Sequence, residues 1–345
     1  MPDRYACKSS CPEPAMPNAN LILLADIGGT NLRFALCESA DVPLRADSIR
    51  RYRAVDHTSL AQAAARYLAE VGAQPVSAVF AIAGRVDGGQ VKITNLPWSV
   101  SSAEVAAALG LDSVRLVNDF AAQSRCLPLL PAGDLETLGD PLPPALDGQR
   151  DRCVAVIGPG TGLGVGALLQ RAGRSIVLET EGGHLSFAPG SEEEIEILKH
   201  LTRKFGRVSN ERLICGSGLV NLYAAICELA AEPLRAVTPE QVMQSATDGD
   251  DAQAVRAAGL FAEILGAIAG DLVLAYGAWD GVFLGGGLLE PLLPTLRRGG
   301  FRNRFDAKGR FAPTMAQIPT IAVRHPNPGL LGAAGIALDA HAAVR

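Results

Sequence analysis

Two short glycine-rich turns, each set between a pair of apolar strands, restrict this chain to folds in which β-hairpins present bare backbone at their tips. The first hairpin runs through Leu21-Ile22-Leu23-Leu24-Ala25-Asp26-Ile27 into Gly28-Gly29-Thr30-Asn31 and returns as Leu32-Arg33-Phe34-Ala35-Leu36. The second runs through Val154-Ala155-Val156-Ile157 into Gly158-Pro159-Gly160-Thr161-Gly162-Leu163-Gly164 and returns as Val165-Gly166-Ala167-Leu168-Leu169. Glycine permits turn dihedrals that other residues avoid, and a tip without side chains leaves N–H groups able to cradle phosphate oxygens. Either turn alone reads as an ordinary hairpin. A matched pair with a threonine in each points to phosphate, and two such tips facing one another would grip a nucleotide from both sides. The chain has no Gly-x-x-x-x-Gly-Lys-Ser/Thr loop. The glycines at 158, 160, 162, 164 and 166 alternate and open into a strand, which excludes a dinucleotide fingerprint as well.

At 345 residues the chain exceeds one comfortable core, and its 48% apolar content fills two. A net charge of −5 and the lack of basic patches interleaved with aromatics argue against a nucleic-acid partner. The cysteines at 7, 11, 37, 126, 153, 215 and 227 are scattered and several sit in apolar runs, the pattern of a reducing, cytoplasmic protein. Cys7 and Cys11 have the spacing of a metal clip without a second ligand pair. The most apolar stretch, Gly259 to Ala278, is interrupted by Glu263 and Asp271, so no membrane span is expected. Residues 1–19 carry charges and prolines without an apolar run and are expected to be a disordered extension, with Met16 as an alternative start.

Along the chain, Arg45 to Val55 reads as irregular or strand-like, Ser59 to Val71 as a helix, and Val76 to Ala83 as a strand. Asp87-Gly88-Gly89 turns into a strand through Ile93. Ser101 and Glu104 form a capping box for a short helix closed by Gly110, and Ser113 to Val117 is a buried strand. This alternation predicts a largely parallel sheet with helices. Asn118-Asp119-Phe120 ends that strand, at the edge where α/β sheets bind ligands, although Asn and Asp would also cap a following helix. Pro128 to Asp151 reads as a surface excursion.

Glu181-Gly182-Gly183-His184 has the spacing of a helical metal pair, but its central glycines favour a loop offering a carboxylate and an imidazole to a polyhydroxylated ligand. Ser191 caps a helix whose Glu194 would close a capping box, and Glu211 lies at another helix start. Gly259 to Ala278 is a helix too apolar for a surface, so it must lie between other elements. Gly281 to Leu284 is a strand, Gly285-Gly286-Gly287 a turn able to approach a ring or a phosphate, and Leu288 to Leu296 a helix. An alanine-rich helix follows Asn327-Pro328-Gly329.

Taken in order, Asp26-Ile27-Gly28-Gly29-Thr30-Asn31, Asn118-Asp119-Phe120, the 158–164 turn, Glu181-Gly182-Gly183-His184, Glu211-Arg212, Gly285-Gly286-Gly287 and Asn327-Pro328-Gly329-Leu330-Leu331 resemble the bacterial glucokinase family of the sugar kinase, Hsp70 and actin superfamily. The resemblance runs from about residue 20 to the end. The related repressor and sugar-kinase group carries a cysteine-rich zinc motif after its histidine, and this chain has none. The resemblance implies an α/β, two-domain RNase H-like fold of the actin and hexokinase type. A small domain of 20–129 plus 325–345 and a large domain of 130–324 would flank a sugar cleft.

It further implies ATP-dependent phosphorylation of glucose at its 6-hydroxyl. Asn118, Asp119, Glu181, His184 and Glu211 would bind the sugar, with Asp119 as the base. Asp26, Gly28, Gly29, Thr30 and Asn31 would hold the γ-phosphate, and Asp26 would position Mg²⁺ indirectly. Gly160, Thr161 and Gly162 would hold the other phosphates, Gly285, Gly286 and Gly287 would face adenine, and relatives are often homodimers. Arg85 stands where many relatives have proline, and bears on sugar choice. The competing readings are a kinase for another hexose and a non-catalytic sugar sensor or actin-like ATPase.

Overall fold

A computed structural model describes residues 21–40, 42–93 and 96–343. The expected N-terminal extension, the alternative start at Met16 and the Cys7/Cys11 pair lie outside the described residues. The chain divides into two compact units, one running to Val117 and resuming at Ala337, the other spanning Asn118–Ile336. The sequence reading put these boundaries at 129/130 and 324/325. The division falls at 117/118 because the segment after it packs on the second unit's sheet, as the glycines of that sheet show below.

In the first unit β1 (Ile22–Ile27) and β2 (Asn31–Cys37) form the expected hairpin, and β3 (Arg50–Arg53) pairs antiparallel with β2. Helix α1 (Leu60–Val71) leads to β4 (Ser77–Ile82), which returns parallel to β1. β5 (Gln90–Lys92) and β6 (Ser99–Ser101) make a separate small hairpin. Helix α2 (Ser102–Leu109) and β7 (Ser113–Asn118) complete a sheet of order β3-β2-β1-β4-β7. The helices start and stop where local chemistry dictates. Ser59 Oγ accepts from Gln62 N–H and Ser101 Oγ from Glu104 N–H, while Gly72 and Gly110 end the helices in the left-handed region at φ 61° and 67°. Phe34, Tyr67 and Phe80 fill the core, with Phe34 stacked on Tyr67 at 5.3 Å. Tyr67 keeps its buried hydroxyl satisfied on Ser48 O at 3.0 Å.

The second unit opens with α3 (Asp119–Cys126) and contains β8 (Leu135–Thr137), β9 (Arg152–Pro159), β10 (Leu163–Arg171) and β11 (Arg174–Glu179). Helices α4 (Glu192–Phe205), α5 (Gly216–Leu229), α6 (Pro239–Asp248) and α7 (Ala252–Tyr276) precede β12 (Gly281–Leu284). Then come α8 (Leu289–Leu296), α9 (Gly300–Asp306), α10 (Ala312–Met315), β13 (Thr320–Val323) and α11 (Pro328–Ala343), the last crossing the boundary at Ala337. The sheet order is β11-β10-β9-β12-β13-β8. In each unit three antiparallel strands, β3-β2-β1 or β11-β10-β9, are followed by a strand parallel to the last, β4 or β12. The two glycine tips therefore occupy equivalent positions of two similarly wound sheets.

Three expectations are corrected. The excursion after Pro128 contains β8, which pairs antiparallel with β13, and three residues are too few for alternation to show. Glu194 does not close a capping box: its Oε2 accepts from Gly190 N–H at 2.6 Å and its Oε1 meets Arg304 Nη2 at 2.8 Å, with only 1% exposure. Helix α7 begins at Ala252, earlier than the apolar run, because Asp251 caps it through Gln253 and Ala254 N–H. Among the described residues α7 alone is long and apolar enough to cross a bilayer. Here Leu260, Phe261, Ile264 and Leu265 are wholly buried in the unit's core. The five described cysteines are free and buried, and burial pushes the Cys126 thiol up to about 12, so it behaves as a small apolar side chain.

Candidate active site

The β9–β10 hairpin is the scaffold on which most of the expected residues meet. At its tip Gly160 N–H donates to Gly162 O at 2.8 Å, and Gly160 O accepts from Gly216 N–H at the start of α5 at 2.9 Å. The first hairpin has the same economy: Gly28 N–H donates to Asn31 O at 3.0 Å. In both tips the first glycine closes the turn. The next two N–H groups, of Gly29 and Thr30 or of Thr161 and Gly162, have no acceptor among the described residues and are available to an anion. None of Gly28, Gly160 and Gly162 adopts a left-handed φ. The expected conformational reason for glycine is therefore corrected: at Gly162 a Cβ would lie 2.5 Å from Glu211 Oε2, whereas at Gly28 and Gly160 it would meet only ordinary contacts at 3.5 and 3.6 Å.

The alternate glycines of β9 and β10 have a different use. A Cβ on Gly164 would lie 1.9 Å from the Phe120 ring, one on Gly158 would lie 2.7 Å from it, and one on Gly166 would meet Ser124 Oγ at 2.7 Å. Glycine at these places lets α3 lie directly on the hairpin. That contact sets Asn118 and Asp119 at the head of α3. Asn118 Oδ1 accepts from Phe120 N–H at 2.8 Å and Ala121 N–H at 3.1 Å, so the capping role weighed from sequence is the one this oxygen performs. Asp119 Oδ1 accepts from Phe120 N–H at 3.0 Å, which fixes the half-buried carboxylate where the helix dipole favours negative charge.

Glu181-Gly182-Gly183-His184 is a single 3-10 turn over Gly182–His184, consistent with the expected loop. Its glycines lie against β10, where a Cβ on Gly183 would fall 2.1 Å from Leu163 O and one on Gly182 would fall 2.8 Å from Val165. The side chains of Glu181 and His184 are 56% and 58% exposed and lie 4.0 Å apart. Glu211, in the 3-10 turn Asn210–Arg212, reaches the hairpin tip, where its Oε2 accepts from Leu163 N–H at 2.8 Å. The Gly285–Gly287 turn sits on the same tip: Leu288 N–H donates to Pro159 O at 3.1 Å, and a Cβ on Gly286 would lie 2.4 Å from that oxygen. The second unit thus gathers Gly160, Thr161, Gly162, Glu181, His184, Glu211 and Gly285 to Gly287 around one hairpin, with Asn118 and Asp119 on the helix packed against it.

The other expected group belongs to the first unit. Asp26 is the penultimate residue of β1, opposite Arg33 in the register of the β1–β2 ladder, and its Oδ2 lies 2.9 Å from Arg33 Nη1. Burial pushes the Asp26 carboxyl above its ordinary value, and the Arg33 guanidinium draws it part of the way back. Arg33 was missed by sequence reasoning. The signal was present, because residues 26 and 33 flank the turn symmetrically and face the same side of a hairpin. Arg85 is exposed and its guanidinium lies 3.8 Å from Asp87. Also missed were Phe120 as the wedge of α3 and Arg207, whose Nη2 donates to His184 O at 2.6 Å.

These elements correspond to known proteins. The family description Glucokinase matches residues 23–340. A glucokinase of Stenotrophomonas maltophilia (strain R551-3) is 54% identical over 321 residues, 92% of this chain and 95% of that protein. The crystal structure of a glucokinase from an Antarctic psychrotroph superposes with a TM-score of 0.82 at 33% identity, covering 93% of this chain and 99% of that one. A ROK family glucokinase from Streptomyces griseus, solved with glucose and AMPPNP, shares the fold with a TM-score of 0.63 at 21% identity, over 92% of this chain and 99% of that one. With a family match across nearly all described residues and a relative more than half identical along both chains, this chain belongs to the glucokinase family.

Proposed function

We propose that this chain transfers the γ-phosphoryl group of ATP to the 6-hydroxyl of D-glucose. The observation that carries the reading is the clustering around one hairpin of a tip with unpaired N–H groups and a set of polar side chains suited to a polyol. Asn118, Asp119, Glu181, His184 and Glu211 bind the sugar. Gly28, Gly29, Thr30 and Asn31 hold the γ-phosphate, Gly160, Thr161 and Gly162 the remaining phosphates, and Gly285 to Gly287 border the adenine.

The transition state of phosphoryl transfer is loose, so alignment and charge neutralisation outweigh proton removal. Asp119 aims the 6-hydroxyl and takes its proton. Bound with the nucleotide, Mg²⁺ supplies charge neutralisation at the phosphate oxygens. Asp26 fits the part of its indirect holder, because one carboxylate suffices where phosphates and water complete the shell, and only one of its oxygens is paired with Arg33. A cytoplasmic, reducing setting agrees with the free, buried cysteines, and the family likeness carries a homodimer, which sedimentation would test.

ADP release measured with glucose, without sugar and with mannose, fructose and glucosamine tests the activity and the acceptor together. Glucose-dependent release is expected. Equal release without sugar would overturn the reading in favour of an ATPase, and preference for another sugar would reassign the acceptor. Each hydroxyl partner removed leaves a group unpaired at about 1 to 3 kcal/mol, so Glu181→Ala and His184→Ala are each expected to raise the glucose KM by about 5- to 150-fold. An unchanged KM in both variants would place the sugar away from this loop.

A further inference from the structure

Glu211 touches two parts of the site at once. Its Oε2 holds Leu163 N–H at the phosphate-type tip and lies so close to Gly162 that a Cβ there would sit 2.5 Å away. Its own 3-10 turn is laced to the 181–184 loop: Asn210 N–H donates to Leu185 O at 2.9 Å, Ser186 and Ser209 form a β-bridge, and Arg207 ties down His184 O. Leu163 is therefore met at its amide by Glu211 and at its carbonyl by Gly183. Glu211 Oε1 takes no hydrogen bond from the described residues, so a hydroxyl donor can reach it while Oε2 keeps the amide.

We propose that Glu211 is a positioning residue coupling the two substrates: a sugar hydroxyl on Oε1 locks the carboxylate, Oε2 then fixes Leu163 N–H, and the ordered tip takes the nucleotide more tightly. This rests on the reading above that Glu211 faces sugar and the 160–162 tip faces phosphate. The carboxylate has few alternatives, because Gly162 closes one side and the loop that carries it is pinned by its own backbone bonds. Coupling of this kind is reciprocal, so the nucleotide must tighten the sugar by the same factor.

Calorimetry on the full chain tests it, with AMPPNP titrated in the absence and presence of saturating glucose. The wild-type protein is expected to bind AMPPNP about 5- to 20-fold more tightly with glucose. In Glu211→Ala this ratio falls to about 1, and Glu211→Gln, which keeps an acceptor for Leu163 N–H, restores part of it. Gly162→Ala displaces the carboxylate without altering Glu211 and also abolishes the ratio. A wild-type ratio of 1, or a wild-type ratio in either Glu211→Ala or Gly162→Ala, would overturn the coupling.

Amide exchange reads the clamp directly and shows whether the variants are folded. Leu163 N–H is expected to exchange at least about 10-fold faster in Glu211→Ala, with Val156 and Val165 unchanged. Should the wild type bind no glucose, the kinase reading fails. The clamp is then judged by exchange alone, and a Leu163 amide equally fast in both proteins overturns it.

Discussion

Asp119→Ala is expected to lower kcat by about 10²- to 10⁴-fold, the usual contribution of a positioned general base, while leaving AMPPNP binding near its wild-type value. The loss should fall on kcat because, in the proposed reaction, the carboxylate acts on the hydroxyl as it attacks while other residues hold the nucleotide. The fold should survive, since Asn118 Oδ1 still accepts from Phe120 and Ala121 N–H and so continues to cap α3. Asp119→Asn separates the two duties of the side chain, because an amide still aligns the hydroxyl but no longer takes its proton. Steady-state assays of ADP release with parallel nucleotide titrations decide the matter. Wild-type kcat in the alanine variant would remove Asp119 from the chemistry.

Gly164→Ala should destabilise the second unit and disturb the site at once. The added carbon would lie 1.9 Å from both Cδ2 and Cε2 of Phe120, and the ring cannot retreat freely because Gly158 lies against its other edge, where a Cβ would fall 2.7 Å from Cζ. Overpacking of this kind costs about 1 to 3 kcal/mol, and for a unit of this size Tm is expected to fall by about 2 to 10 °C. Since Phe120 follows Asp119 in α3, activity should fall along with stability. The double variant Gly164→Ala/Phe120→Ala should be more stable than the sum of its parts, because the clash is gone once the ring is. A neutral Gly164→Ala, or simple additivity in the cycle, would show that the alternate glycines do not seat the helix.

Much of the fold is readable from residues close in sequence. The β1–β2 hairpin, the Ser59 and Ser101 caps and the Gly72 and Gly110 terminators are local effects, and each appears where the residue pattern puts it. Elements with too little local signal escaped. β8 has three residues, and its place in the sheet depends on β13, far along the chain. Glu194 looked like a capping acid because a serine stands three residues before it, and its partner Arg304 lies 110 positions away.

The candidate site divides in the same way. The two glycine tips are legible in the sequence, since a matched pair of bare turns with a threonine in each points to phosphate where either alone reads as an ordinary hairpin. Which of their N–H groups stay unpaired, why Gly158, Gly164 and Gly183 lack side chains, and where Glu211 sends its carboxylate were decided by packing alone. Propensity and periodicity act over a few residues of backbone, whereas the approach of Phe120 to Gly164 or of Glu211 to Leu163 exists only after helix, hairpin and loop have closed on one another.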